Sequence, residues 1–274
     1  MLASIAGFST VLAGCGGDSN TASNTGSSGS TEPSAAQVAT IEPGTLTVCA
    51  TGAQPFGYQT DQGEWTGFDI DLLDAMATDI NGGLELSVTV LPLSGIWLAP
   101  TDGTCDVAAA ALTITPERAE AALFTDPYFT SAQSLMVLRT RAGELTSLDA
   151  LSGLTIGAIS GSTGAAYAEA NAPDGATVVG FANGDLLYAA LDNGEVDAVI
   201  RDLPLDISRF NSQPGRYTLV AEYDTGEQYG FAVAKGNTAL ADALNQQLKR
   251  VKADGTYQKI YDQYFTLVST TTAP

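Results

Sequence analysis

Short apolar strands alternate with helix-spaced segments along most of this chain, and the alternation runs twice. In the first set, residues 45–50 (TLTVCA), 84–91 and 107–112 are expected to be strands. Between them Phe68, Leu72, Leu73, Met76 and Ile80 repeat at helical spacing, and 116–122 follow as a second helix. The second set has strands at 155–159, 177–181 and 198–200, with helical pieces at 148–151, 162–170 and 185–193. Strands separated by helices form parallel sheets covered on both faces. Extended apolar segments at 134–140 and 230–234 stand between the sets, and a helical tail runs from 239 to 265. A chain that leaves one α/β unit, builds another and returns predicts two lobes around a cleft, joined by two crossings.

Charge and composition remove several functions. Among 274 residues, 31 are acidic and 11 basic, giving a formal charge of −20. That field repels nucleic acid and anionic lipid headgroups, so no nucleic-acid partner is expected. Histidine is absent, which takes away the usual base of a nucleophilic triad and the commonest transition-metal ligand. No cofactor, metal or catalytic residue is expected. The stretch from Gly157 to Gly164 is glycine-rich like a phosphate loop, but it lacks the lysine that a Walker A motif places before Ser/Thr.

The three cysteines divide between two uses. Leu12-Ala13-Gly14-Cys15 resembles a bacterial lipobox, although no positive charge precedes it. The resemblance implies that residues 1–15 are a lipoprotein signal peptide and that Cys15 carries a lipid. Residues 16–40, dominated by Ser, Thr, Gly, Asn and Ala, have little to bury and are expected to be a flexible tether. In an exported protein Cys49 and Cys105, on or beside strands, can form a disulfide; two buried thiols are the alternative.

Residues 107–118, VAAAALTITPER, pass from a buried strand through a turn into a helix. Pro116 suits a first helical position and Thr115 a capping one. Helix-start amides together with the fork of Arg118 make a plausible carboxylate receptor. On this segment alone an ordinary capped helix with a solvated arginine is equally acceptable.

Ordered companions favour the receptor. Pro55-Phe56, Gly67-Phe68-Asp69-Ile70-Asp71-Leu72, Cys105-Asp106-Val107, the 112–118 turn, Phe124-Thr125-Asp126-Pro127-Tyr128, Gly161-Ser162-Thr163, Gly194-Glu195-Val196-Asp197-Ala198-Val199, Asp202-Leu203-Pro204 and Asp254-Gly255-Thr256-Tyr257 follow one another over most of 45–265. Together they resemble the family-3 extracellular solute-binding proteins, the polar-amino-acid receptors of ABC importers.

The resemblance implies a periplasmic-binding-protein type II fold, two α/β lobes joined by a two-strand hinge. Lobe 1 is then expected at 41–135 and 231–274, and lobe 2 at 136–230. It also implies that Arg118 clamps a ligand carboxylate with help from Thr113, that the Ala111 carbonyl and Asp202 receive the ammonium, and that Ser162 and Thr163 close on the carboxylate from lobe 2. Phe56 and Trp97 are expected to supply an apolar wall. Asp202 has an alternative use as a helix cap, and Asp69 and Asp71 are expected to be capping or dipole partners.

Relatives for basic ligands carry an acid shortly before Pro-Phe; this chain reads Ala50-Thr51-Gly52-Ala53-Gln54, which disfavours a basic side chain. The expected function is therefore capture of a small zwitterion, an L-amino acid, for an ABC permease. The expected protein is monomeric, anchored by lipid at the outer face of the cytoplasmic membrane or in the periplasm, and not an enzyme. An exported dehydratase of the cyclohexadienyl type on the same fold, and a ligand sensor for a membrane kinase, are the competing expectations.

Overall fold

The computed structural model describes residues 38–265. Strand β1 (Thr45–Ala50), the short hairpin β2 (Tyr58–Gln59) and β3 (Trp65–Thr66), helix α1 (Phe68–Ala77), β4 (Glu85–Val90), β5 (Val107–Ala108), α2 (Pro116–Ala121) and β6 (Leu123–Phe124) come first. Next are β7 (Phe129–Leu138), β8 (Thr155–Ile159), α3 (Thr163–Asn171), β9 (Thr177–Phe181), α4 (Gly184–Asn193), β10 (Ala198–Asp202), α5 (Leu203–Ser212) and β11 (Tyr217–Tyr229). The described chain finishes with β12 (Ala232–Val233), α6 (Thr238–Ala253) and α7 (Thr256–Phe265).

Apart from the β2-β3 hairpin, these strands make two five-stranded sheets, ordered β4-β1-β5-β12-β6 and β11-β7-β10-β8-β9. The fold is two α/β lobes, one built on each sheet, as the doubled alternation predicted. Each sheet is mixed rather than wholly parallel. β1 runs parallel to β4 and β5, but β12 returns antiparallel beside β5 and β6. In the other sheet β8 is parallel to β9 and β10, while β7 is antiparallel to β10 and β11.

Alternation along each strand places the cores. Leu46, Val48 and Ala50 face Leu72, Leu73 and Met76 of α1 and the Leu240, Leu244, Leu248, Val251 stripe of α6. Cys49 and Ala108 face the other way, toward Ile96 and Leu112. Full burial of such a leucine is worth about 2 kcal/mol. In the second sheet Leu135, Val137, Ile156 and Ile200 line one face, and Met136, Ile159 and Val199 pack with Leu187 and Leu191 of α4 on the other. Cys49 and Cys105 lie with their Cα atoms 5.9 Å apart and their sulfurs joined.

The crossings differ from the sequence pattern. β7 begins at Phe129 rather than 134, and it pairs with β11 from Phe129↔Tyr229 to Leu138↔Tyr217. The second crossing is therefore the end of β11, ahead of the apolar 230–234 segment. Thirteen residues long, β11 is half polar and carries register shifts, which hid it from a periodicity argument. Helix α5 was hidden by Pro204, which in fact stands in its first turn, where a missing N–H costs nothing. The expected strand at 107–112 stops at Ala108, because Ala111 turns to a φ of 49°.

Candidate functional site

Arg118 projects from α2, a single short helix capped by Thr115, whose Oγ1 accepts the Arg118 N–H at 3.2 Å. Its guanidinium is buried, with the residue 6 % exposed. Nη1 donates to the Thr113 carbonyl at 2.9 Å and Nη2 to the Gly161 carbonyl at 3.0 Å, so one side chain touches both lobes. Trp97 lies against it, ring centroid 4.6 Å from Cζ. Among the described residues no carboxylate comes within ion-pair distance. Burial pulls the guanidinium down from its ordinary pKa, and the more distant charges of Asp202 and Glu227 oppose that pull. A buried, unpaired cation with uncommitted N–H groups is costly unless something anionic reaches it.

Across from it stands the start of α3. Ser162 is the cap, its Oγ accepting the Ala165 N–H at 3.0 Å, and Thr163 is the first helical residue. Gly164 lets this helix start press against β10 and β7, since a Cβ there would sit 2.8 Å from Gln133 Oε1 and 3.2 Å from the Ile200 carbonyl.

Glu227, near the end of β11, ties the two sides together. Its Oε2 accepts from Thr113 Oγ1 at 2.6 Å and from Thr163 Oγ1 at 2.7 Å, while Oε1 accepts from Gln133 Nε2 at 2.8 Å and Thr225 Oγ1 at 3.0 Å. The hydroxyls that the sequence assigned to a ligand carboxylate are thus given to a carboxylate of the protein. Asp202 occupies the N-cap position of α5, but its side chain makes no capping bond there. Instead its oxygens accept from Gln133 Nε2 at 2.9 Å and Tyr229 OH at 2.5 Å. Burial, then the neighbouring Glu227 charge, push its pKa up.

Asp69 likewise does not cap α1, whose N-cap is Gly67. Fully buried, it accepts the Ala111 N–H at 2.8 Å and Tyr128 OH at 2.7 Å, and burial raises its pKa to about 7. It holds Ala111 in a left-handed conformation that costs an L-residue about 1–2 kcal/mol.

These groups surround a cavity of about 560 Å³. All the expected ligand-binding residues line it except Trp97, which sits behind the Arg118 guanidinium instead of forming a wall. Thr51, Gly52, Ala53 and Gln54 line it as well, with no acid among them. Sequence reasoning missed Glu227, Gln133 and Tyr229. The available signal was an amide, Gln133, inside the apolar β7 run; Glu227, between the exposed Gly226 and Gln228, carried none. Cys15 lies outside the described residues.

The chain matches the family model described as bacterial extracellular solute-binding proteins, family 3, over residues 46–267. It belongs to that family. Its relatives include a probable histidine-binding protein of Neisseria gonorrhoeae, 30% identical over 81% of this chain and 84% of the relative. Another is the ABC transporter glutamine-binding protein GlnH of Bacillus subtilis, 33% identical over 76% of this chain and 80% of the relative. Among solved structures, an ancestral arginine-binding protein bound to arginine superposes with a TM-score of 0.74 at 35% identity, covering 81% of this chain and 98% of that one. These relatives are binding proteins, not enzymes.

Proposed function

We propose that this protein is the amino-acid-binding component of an ABC importer, taking a small zwitterion with a side chain that is not strongly basic. The observation that carries this is Arg118, buried and without an acidic ion-pair partner among the described residues, lining the same cavity as Asp202. A ligand α-carboxylate completes Arg118 through its free N–H groups, assisted by the amides at the start of α3. The α-ammonium takes a remaining lone pair of Asp202 and the carbonyl of Ala111. Because these groups come from both lobes, ligand favours the closed arrangement, which a permease can recognise.

Isothermal titration against the common amino acids tests this. Binding of at least one of them is expected, and Arg118→Ala is expected to weaken it by about 30-fold or more, since a buried charge pair loses roughly 2–5 kcal/mol when one partner is removed. Wild-type affinity in that variant rejects the clamp. We further propose that the protein acts as a monomer at the outer face of the cytoplasmic membrane or in the periplasm, with Cys49 and Cys105 bridged and a lipid on Cys15 joined through the expected 16–40 tether. The free part of that tether ends before Val38, which is buried in the first core and exchanges two hydrogen bonds with Asn81. A Cys15→Ser variant recovered in the membrane fraction like the wild type overturns the anchor.

A further inference from the structure

Three arginines line the cavity, in a chain with 11 basic residues and a net charge of −20. Arg118 is one; Arg201, in β10, and Arg209, in α5, are the others. Arg141, Arg216 and Arg250 are all ion-paired, whereas among the described residues Arg201 and Arg209 pair with no carboxylate. Arg201 is buried, its Nε has no partner, and its Nη1 donates only to Tyr188 OH at 3.2 Å. Arg209 Nε is also buried and unpartnered, Nη2 reaches Tyr217 OH at 3.2 Å, and Cζ lies 4.6 Å over the Tyr188 ring.

The nearby acids Asp206 and Asp202 favour the Arg201 charge from a distance, but their hydrogen bonds go to other groups. Asp206 accepts from Tyr188 OH and Ser134 Oγ, and burial raises its pKa to about 7. Asp192 serves Arg216 and Tyr217, Asp202 is held by Gln133 and Tyr229, and Asp185 is exposed at the start of α4. Gly184 completes the arrangement: a Cβ there would stand 2.9 Å from Arg201 Nη1, so glycine admits the guanidinium against the N-terminal end of α4.

We propose that Arg201 and Arg209 form a side-chain subsite for a second anionic group, making the ligand an amino acid with a carboxylate side chain. The inference rests on the α-amino-acid clamp proposed above. Two guanidiniums held by phenols and a ring face leave donors in the fork geometry that a carboxylate matches, and they repel a lysine or arginine side chain placed there.

Titration calorimetry of the full chain with L-glutamate, L-aspartate, L-glutamine, L-asparagine, L-arginine and L-lysine separates the cases. Expected is binding of glutamate or aspartate at least tenfold tighter than the matching amide, with the basic amino acids weakest. Arg209→Gln, its folding checked by thermal melt, is expected to narrow the acid-to-amide ratio at least tenfold. Tightest binding by a basic or neutral amino acid overturns the subsite while leaving the clamp intact. Binding by none of these or the other common amino acids overturns the clamp itself. Should Arg209→Gln fail to fold, the wild-type panel alone decides.

Discussion

Glu227 is the residue on which the cleft is assembled, because its two oxygens accept from Thr113, Thr163, Gln133 and Thr225 at once. A carboxylate can accept everywhere, whereas an amide offers one acceptor atom. Glu227→Gln is therefore expected to lose about 1–3 kcal/mol of stability, read from urea unfolding midpoints, as donors around the new NH₂ lose their acceptor. An unchanged midpoint rejects that role. Asp206 makes a different prediction. Its carboxyl, raised from 3.8 to about 7 by burial, binds a proton more readily folded than unfolded. Between those values the folded state holds the extra proton, so this contribution is present at low pH and is lost as pH rises through about 7. Asp69 adds a second such slope. Asp206→Asn should flatten the fall in melting temperature between about pH 4 and pH 7, and a profile parallel to the wild type counts against the assignment.

At the level of elements, the site depends on how closely α3 approaches the sheet behind it. Gly164 allows that approach, and Gly164→Ala puts a methyl where Gln133 Oε1 and the Ile200 carbonyl already stand. Overpacking of this kind costs about 1–3 kcal/mol. Both a lower melting temperature and weaker ligand binding are expected from this substitution, since displacement of the helix start moves Ser162 and Thr163. Full retention of both properties refutes the close-packing argument. The elements that local pattern announced were found within a few residues: β1 alternates, α4 and α6 repeat apolar residues near every 3.6, and β8 and β9 are short apolar runs between helices. By contrast α5 and β11 carry polar residues because they border the cleft and the crossing, and so the same rule passed over them.

For the whole molecule, the two lobes are held by β7 and β11, with Phe129 and Tyr229 stacked 5.4 Å apart where the strands enter the second sheet. Lobe 1 has a further constraint in the Cys49–Cys105 bridge, across 56 positions of chain. Closing a loop of that size stabilises by about 4 kcal/mol in the chain-entropy model. Reduction, or Cys49→Ala with Cys105→Ala, should lower the melting temperature measurably in calorimetry, and no shift argues that the bridge contributes little. The sequence by itself determined the two α/β sets, the return of the chain to its first sheet, and the Thr115-Pro116-Arg118 helix start, because periodicity and capping are local properties. The order of motifs, through the resemblance it carries, singled out Arg118 and Asp202, and both line the cavity. Only the tertiary structure decided which polar groups are spent and which remain free. It gave the Thr113 and Thr163 hydroxyls to Glu227, moved Trp97 behind Arg118, and left Arg201 and Arg209 with no ion-pair partner among the described residues. Those outcomes depend on residues dozens of positions apart meeting in one cavity, where burial sets the cost of every unpaired group.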